Sequence, residues 1–218
     1  MKTKLVVFDL AGTTVRDTNT VGGALQAALA EFGVSASIAE VNAVMGIPKP
    51  VAIAQLLAAH GTTGDVEAIH ARFQSLMIEI YRTDPGIDEI EGATQVMDQI
   101  KTAGLKIAVD TGFDRAITDV VIGRMPWRDL IDDSIASDEV AQGRPAPDML
   151  LALAERQGVT PAEIAKVGDT PSDIQQGRAA GAGFVVGVLY GTHTRDQLAA
   201  HEPDALIEHL SELPGLIL

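Results

Sequence analysis

Two kinds of apolar pattern alternate along the chain. Short continuous runs rich in β-branched residues occupy 4–9, 105–110, 164–169 and 183–188, with a weaker one at 205–207. Runs of this length without polar alternation predict strands buried on both faces. Between them, 91–103, 115–124, 148–157 and 171–180 carry helical periodicity, and Gly104, Gly158 and Gly181 stand where C-terminal caps are expected. This alternation predicts an α/β fold: a Rossmann-like parallel sheet core with helices on both faces. One region departs from it. From 18 to 83 the periodicity is helical throughout, and Ser37-Ile-Ala-Glu40 is a capping-box signature. Asp84-Pro85-Gly86 then reads as a linker. The predicted organisation is a core made of 1–16 and 86–218, with 17–85 inserted as an all-helical cap domain. Open parallel sheets bind ligands at the carboxyl ends of their strands, so the insertion would sit over the site as a lid. Its hinges are expected near 14–17 and 83–88.

Composition narrows the class. At 218 residues the chain suits one domain, or one core with a modest insertion. Apolar residues at 46% supply a core and exclude a wholly disordered chain. A formal net charge of −14 argues against a nucleic-acid partner and against an anionic membrane surface. The absence of cysteine excludes disulfides, thiolate metal sites and a cysteine nucleophile. Asp9 interrupts the first apolar run too early for a signal peptide, and no stretch approaches the ~20 apolar residues of a spanning helix, so a cytoplasmic location is expected.

The strand ends carry the candidate chemistry. Asp9 closes the first strand in Asp9-Leu-Ala-Gly-Thr13, and Asp169 closes a later one in Gly168-Asp-Thr-Pro-Ser-Asp173. In a parallel sheet both carboxylates emerge on one edge. Two hard oxygen ligands, with waters and a substrate phosphate, make a Mg²⁺ site. The metal would also let an anionic substrate approach an anionic nucleophile. Each aspartate has an alternative use as a turn or helix cap. For Asp173 that use is concrete, with Thr170 as N-cap, Pro171 as first helical residue and Asp173 as the N3 acid.

Three further groups suit an anionic substrate. Thr111-Gly112-Phe113 follows a strand and precedes a helix, where a hydroxyl and backbone N–H groups form an anion site, although Thr-Gly is also an ordinary turn. Arg144, in Gly143-Arg-Pro-Ala-Pro147, is either a bidentate phosphoryl ligand or a solvated surface arginine. Of the lysines at 2, 4, 49, 101, 106 and 166, only Lys49 falls in the helical insertion, within Met45-Gly-Ile-Pro-Lys-Pro50. With Pro50 at the first helical position, Lys49 is predicted to be the N-cap. There its charge would meet the positive end of the helix dipole, which favours a neutral, nucleophilic amine. The alternative is a lysine snorkelling off a loop.

In order and spacing these segments resemble the haloacid dehalogenase superfamily, from the first strand to Gly191. Asp9 matches its nucleophilic aspartate, Thr111 the second-motif threonine, Arg144 the third-motif basic residue, and Asp169 and Asp173 the acidic fourth motif. The helical insertion looks like the family's cap. Two departures are informative. Ala11 stands where most family phosphatases carry a second, acid–base aspartate, and Arg144 stands where lysine is usual. Both resemble the phosphonatase (phosphonoacetaldehyde hydrolase)-like subgroup, in which a cap lysine forms a Schiff base with an aldehyde; Lys49, just after Met45, looks like that lysine. The resemblance implies Mg²⁺ held by the Asp9 and Asp169 carboxylates and the Ala11 backbone carbonyl, with Asp173 acting through water or orienting its neighbours. It implies phosphoryl and substrate contacts from Ala11, Gly12, Met45, Thr111, Gly112 and Arg144. Ala52 and Phe113 depart from the subgroup's histidine and tyrosine.

The chemistry gives Ala11 a rationale. Hydrolysing a phosphomonoester expels an alkoxide, which an acid assists. Breaking a carbon–phosphorus bond expels a carbanion, and a protonated imine one carbon away accepts those electrons. The leading expectation is therefore a Mg²⁺-dependent enzyme cleaving the C–P bond of phosphonoacetaldehyde or a related phosphonate, through an aspartyl-phosphate on Asp9 and a Schiff base on Lys49. The alternatives are a small-molecule phosphomonoester phosphatase and a non-catalytic protein that binds a phosphorylated ligand. The resemblance also implies a possible homodimer formed through the cap.

Overall fold

The computed structural model describes residues 2–218. The chain runs β1 (Leu5–Phe8), α1 (Thr20–Glu31), α2 (Ile38–Asn42), α3 (Lys49–Ala59), α4 (Val66–Thr83), α5 (Ala93–Thr102), β2 (Lys106–Thr111), α6 (Arg115–Arg124), β3 (Asp133–Ala136), α7 (Asp148–Gln157), β4 (Ile164–Gly168), α8 (Pro171–Ala180), β5 (Phe184–Val188), α9 (Arg195–Ala199), β6 (Ala205–Ile207) and α10 (Pro214–Ile217). The six strands form one parallel sheet in the order β3-β2-β1-β4-β5-β6. Every residue of β1 is buried. Its alternate side chains enter two different cores, Val6 and Phe8 into one and Leu5 and Val7 into the other. That division is why the strand reads as continuously apolar. α7 packs on the second face through Met149, Leu150 and Leu153, while α5 packs on the first through Val96, Met97 and Ile100.

Strand β3 has no counterpart in the sequence expectation. It is four residues long and begins with half-buried Asp133 and Ser134 at the sheet edge. An edge strand exposed on one side and this short carries no apolar run. The chain crosses from β3 back over β1 to β4, so the strand order reverses between β1 and β4. Ligand crevices in open sheets form at such a reversal, outside the carboxyl ends of the strands.

Helices α1 to α4 lie between β1 and α5 without a strand. α4 carries a stripe of buried residues at every fourth position, Ile69, Phe73, Met77 and Tyr81, and Asp65 caps it by accepting the Ala68 N–H at 3.0 Å. α2 opens with the full Ser37–Glu40 capping box. The two segments joining these helices to the sheet run side by side. Arg16 N donates to Asp88 O and Ile90 N to Thr14 O, both at 2.9 Å, around an antiparallel bridge between Val15 and Glu89. α4 is also fastened to α6. Arg124 donates to the Tyr81 carbonyl at 2.7 Å, and Gln74 Nε2 donates to Asp114 Oδ2 at 3.0 Å.

The start of α3 corrects one expectation. Pro48, with extended backbone, is the N-cap, and Lys49 is the first helical residue rather than the cap. The φ of −54° and ψ of 134° at Pro48 suit a cap, so the helix begins one residue earlier than Pro50 alone suggests. No acidic residue and no side-chain cap neutralises this first turn. Among the described residues no helix is long and apolar enough to cross a membrane.

Candidate active site

The sheet register brings the acids together. Phe8 pairs with Val109 on one side and Val167 on the other, so Asp9 follows at the level of Asp110 and Gly168, with Asp169 one residue beyond. Asp9, Asp169 and Asp173 are buried, and carboxylate oxygens of all three lie within 4.8 Å of one another. The capping role of Asp173 is also real: its carboxylate accepts the Thr170 hydroxyl at 2.6 Å and the Thr170 N–H at 3.1 Å. The structural and chemical uses of this residue coexist.

Two buried cations organise the cluster. Arg144 is not a surface residue; its side chain is buried. Nη2 lies 2.7 Å from Asp9 Oδ1 and 2.8 Å from Asp110 Oδ1, and Nη1 lies 2.7 Å from Asp173 Oδ1. Lys166, fully buried in β4, pairs with Asp110 and sits 3.0 Å from Asp173 Oδ1. The sequence reading missed both Lys166 and Asp110 as members of this network. The available signal was a lysine inside a run otherwise suited to burial on both faces.

The electrostatics separate the three clustered acids. Burial pushes Asp9 up to about 6, with Asp173 and Asp110 adding to the rise and Arg144 and Lys166 opposing it. Burial, with the charges of Asp9 and Asp173, pushes Asp169 up to about 7, against the N–H of Thr192. Asp173 is equally buried, but Arg144 and Lys166 hold it below its ordinary value. Asp173 is thus compensated by two cations, Asp9 shares Arg144 with two other carboxylates, and Asp169 has no cation partner among the described residues. Four buried carboxylates pair directly with only two buried cations, which leaves negative charge that a divalent cation would offset. The donor set is all oxygen, which suits a hard cation such as Mg²⁺. The residues fit such an ion, and the excess charge falls on Asp9 and Asp169.

Backbone shape keeps space around Asp169. Gly12 has φ +91°, and a Cβ there would stand 2.6 Å from Asp169 Oδ2. Asp169 is steadied by the Thr192 N–H at 2.8 Å and the Thr13 hydroxyl at 3.3 Å. Thr192 was not singled out from sequence; it lies outside any strand or helix and reaches the site only through the fold.

Beside the acids is a narrow cleft lined by Asp9, Ala11, Met45, Lys49, Thr111 and Arg144, among others. Gly12 does not line it but backs Asp169. Gly112 does line it, facing the carbonyls of Gly46 and Ile47 from the helical region. Thr111 Oγ1 accepts the Phe113 N–H at 3.2 Å, leaving its hydroxyl hydrogen to be donated elsewhere. The helix that follows offers less than the sequence suggested. The first-turn N–H groups of α6 are taken up, Ile117 N by Asp114 and Arg115 N by Asp138. An anion site at this edge therefore rests on Thr111 and Gly112 rather than on the dipole of α6.

Lys49 is buried, not snorkelling. Its Nζ lies 5.7 Å from the Phe113 ring centre and 6.0 Å from that of Phe73. Among the described residues it forms no ion pair within 4.0 Å. Burial, with Arg144 adding to it and Asp9 and Asp17 opposing, lowers its pKa to about 8. The sequence reading anticipated the direction, but the largest cause is desolvation rather than the helix dipole. Ala52 lies one turn along α3 and is fully buried.

The comparisons with known proteins agree with this geometry. The pattern of the haloacid dehalogenase-like hydrolase family matches residues 3–181. A phosphoglycolate phosphatase from Cereibacter sphaeroides is 31% identical over 215 residues, covering 97% of this chain and 96% of its own. A phosphonoacetaldehyde hydrolase from Pseudomonas paraeruginosa is 29% identical over 227 residues, covering 87% of this chain and 82% of its own. In three dimensions, a phosphonoacetaldehyde hydrolase-like protein from Oleispira antarctica superposes with a TM-score of 0.87 at 20% identity, covering 100% of this chain and 92% of that one.

Proposed function

The chain belongs to the haloacid dehalogenase-like hydrolase family, and we propose that within it this enzyme cleaves the C–P bond of phosphonoacetaldehyde or a closely related carbonyl phosphonate. The observation that carries the reading is the buried Lys49 amine, lowered to about 8, without an ion pair among the described residues and facing the same cleft as Asp9. A lysine used only to attract an anion gains nothing from burial that lowers its pKa. A lysine used as an amine nucleophile does.

In this reading the neutral Lys49 amine attacks the substrate carbonyl, and loss of water leaves a protonated imine. Asp9 attacks phosphorus; the C–P bond breaks and its electron pair enters the imine as an enamine. A water then hydrolyses the aspartyl-phosphate, while the enamine takes a proton at carbon and a second water hydrolyses the resulting imine, freeing the aldehyde and Lys49. Arg144, fixed against Asp9 Oδ1, orients the nucleophilic carboxylate. Thr111 and Gly112 are placed to donate to the phosphoryl oxygens. Bound through Asp9, Asp169 and the Ala11 carbonyl, Mg²⁺ would neutralise the charge between nucleophile and phosphonate. Ala11 needs no acid–base side chain because the imine takes the leaving electrons. The helical segment 17–85 acts as the cap, bringing Met45 and Lys49 against the sheet edge and opening for exchange of small phosphonate substrate and product.

A phosphomonoester phosphatase is the second reading, favoured by Ala52 and Phe113 in the amine's surroundings and by the 31% identity to a phosphoglycolate phosphatase. Borohydride reduction with phosphonoacetaldehyde separates the two. Under the C–P reading an adduct forms on Lys49 and Lys49→Arg abolishes turnover. No adduct, with turnover kept in Lys49→Arg, would overturn it in favour of the phosphatase.

A further inference from the structure

Imine formation moves protons as well as electrons, and the surroundings of Lys49 offer few groups to carry them. Ala52 has no titratable side chain, and neither does Phe113. Burial raises the Tyr81 phenol well above its ordinary value, so it keeps its proton. Two carboxylates line the cleft, Asp9 and Asp17. Asp9 is engaged by Arg144 and serves phosphoryl transfer.

Asp17 has a different setting. Its Oδ1 accepts the Thr20 N–H at 2.6 Å and the Val21 N–H at 3.4 Å, which pins the carboxyl at the first turn of α1. Both of these backbone bonds fall on Oδ1, and the Thr20 hydroxyl also borders the carboxyl. The residue lines the Lys49 cleft and also an adjoining polar pocket with Thr18, Asn19, Asn42 and Thr192. It therefore stands where the buried amine meets a chamber that water can fill.

We infer that Asp17 is the proton-transfer residue for imine formation at Lys49, exchanging protons with water in the polar side pocket. This inference rests on the C–P reading above. Attack of the neutral amine on the carbonyl forms the C–N bond and leaves a positive nitrogen and a negative oxygen. Asp17 passes one nitrogen proton to that oxygen, giving a neutral carbinolamine. The Asp17 carboxylate then takes up a proton from solvent through the side pocket and donates it to the carbinolamine hydroxyl, the C–O bond breaks, and water departs into the side pocket. The iminium nitrogen and the Asp17 carboxylate remain as a compensating pair. The charged and titratable groups facing Asp17 are Lys49 from α3, Tyr81 from α4 and Asp9 from the β1 edge. Burial raises the Asp17 pKa while Thr20, Val21 and Lys49 restrain the rise, which suits a group that must both hold and release a proton.

The test is the rate of borohydride trapping of phosphonoacetaldehyde on the full-length protein with Mg²⁺, the adduct being mapped to Lys49 by mass spectrometry across pH. Asp17→Asn keeps an oxygen for the Thr20 N–H but no acid. It should trap at least about tenfold more slowly and lose the acid-dependent limb of the pH profile. Asp17→Glu, which retains an acid, should recover part of the rate and that limb. Wild-type trapping rate and profile in Asp17→Asn would overturn the role of Asp17 alone. Equal slowing in both variants with the limb intact would mark a structural role and also overturn it. No adduct in the wild type would remove the imine reading itself, and the role of Asp17 with it.

Discussion

Arg144 and Asp9, 135 residues apart in the chain, are joined at 2.7 Å beneath the carboxyl edge of the sheet. The same guanidinium reaches Asp110 and Asp173, so one planar fork sets the relative positions of three carboxylates. A lysine has a single nitrogen and cannot span them. Arg144→Lys is expected to lower turnover at least about 100-fold through misplacement of Asp9. Arg144→Met leaves Asp9 buried without its paired cation, and Asp110 and Asp173 with Lys166 alone, and should cost on the order of 3–5 kcal/mol in urea denaturation.

The amine of Lys49 titrates within reach of ordinary assays. With its pKa lowered to about 8, the reactive neutral fraction grows as pH rises through that value. Borohydride trapping at limiting substrate should therefore speed up by about tenfold per pH unit well below 8 and level off above it. A rate that keeps rising tenfold per unit through pH 9 would be that of an ordinary lysine and would contradict the lowered pKa.

The same lysine should weaken the fold. Its folded pKa lies below the ordinary 10.5, so between about 8 and 10.5 the unfolded chain binds more protons. The destabilisation is present in full below about 8 and is relieved as pH rises to about 10.5. Lys49→Met should consequently be more stable than the wild type at pH 7, by up to about 3 kcal/mol, and the gap should close in alkali. Parallel thermal melts at pH 7 and pH 10.5 measure it.

Excess negative charge at Asp9 and Asp169 predicts stabilisation by a divalent ion. Mg²⁺ should raise the melting temperature progressively with concentration, by an amount corresponding to about 2.7 kcal/mol at a hundredfold excess over its dissociation constant. Asp169→Asn should abolish the shift and the Mg²⁺-dependent release of phosphate together. Melting curves with EDTA and with graded Mg²⁺ test this without any substrate.

Gly12→Ala probes the backbone. Its φ of +91° is costly for any L side chain, and the new Cβ would stand 2.6 Å from Asp169 Oδ2. The expected result is a higher Mg²⁺ requirement and lower turnover, with a stability loss on the order of 1–2 kcal/mol.

Much of this was legible in the sequence, for physical reasons that also mark where legibility ends. Asp9 and Asp169 are visible because they end apolar runs, and strands in a parallel sheet deliver their last residues to one edge. α6, α7 and α8 are visible because their apolar period and caps are local. β3 escaped because an edge strand with Asp133 and Ser134 exposed on one side has no apolar run. The Arg144–Lys166–Asp110 network escaped because its members meet only through strand register. Lys49 shows both sides: its unfavourable place at a helix start is a local fact, but the aromatic rings that bury it come from Phe73 and Phe113, distant in sequence.

The paired backbone of 14–16 and 88–90 has a consequence for how this protein can diversify. Because the helical segment enters and leaves through one doorway, its backbone pairing with the core is confined to that point, and its other contacts are of the kind α4 makes with α6 through side chains. Another segment whose ends meet in the same place can be spliced in without disturbing the strands or the phosphorus-handling acids. Under the C–P reading, leaving-group chemistry would then sit on an exchangeable cassette mounted on a fixed engine.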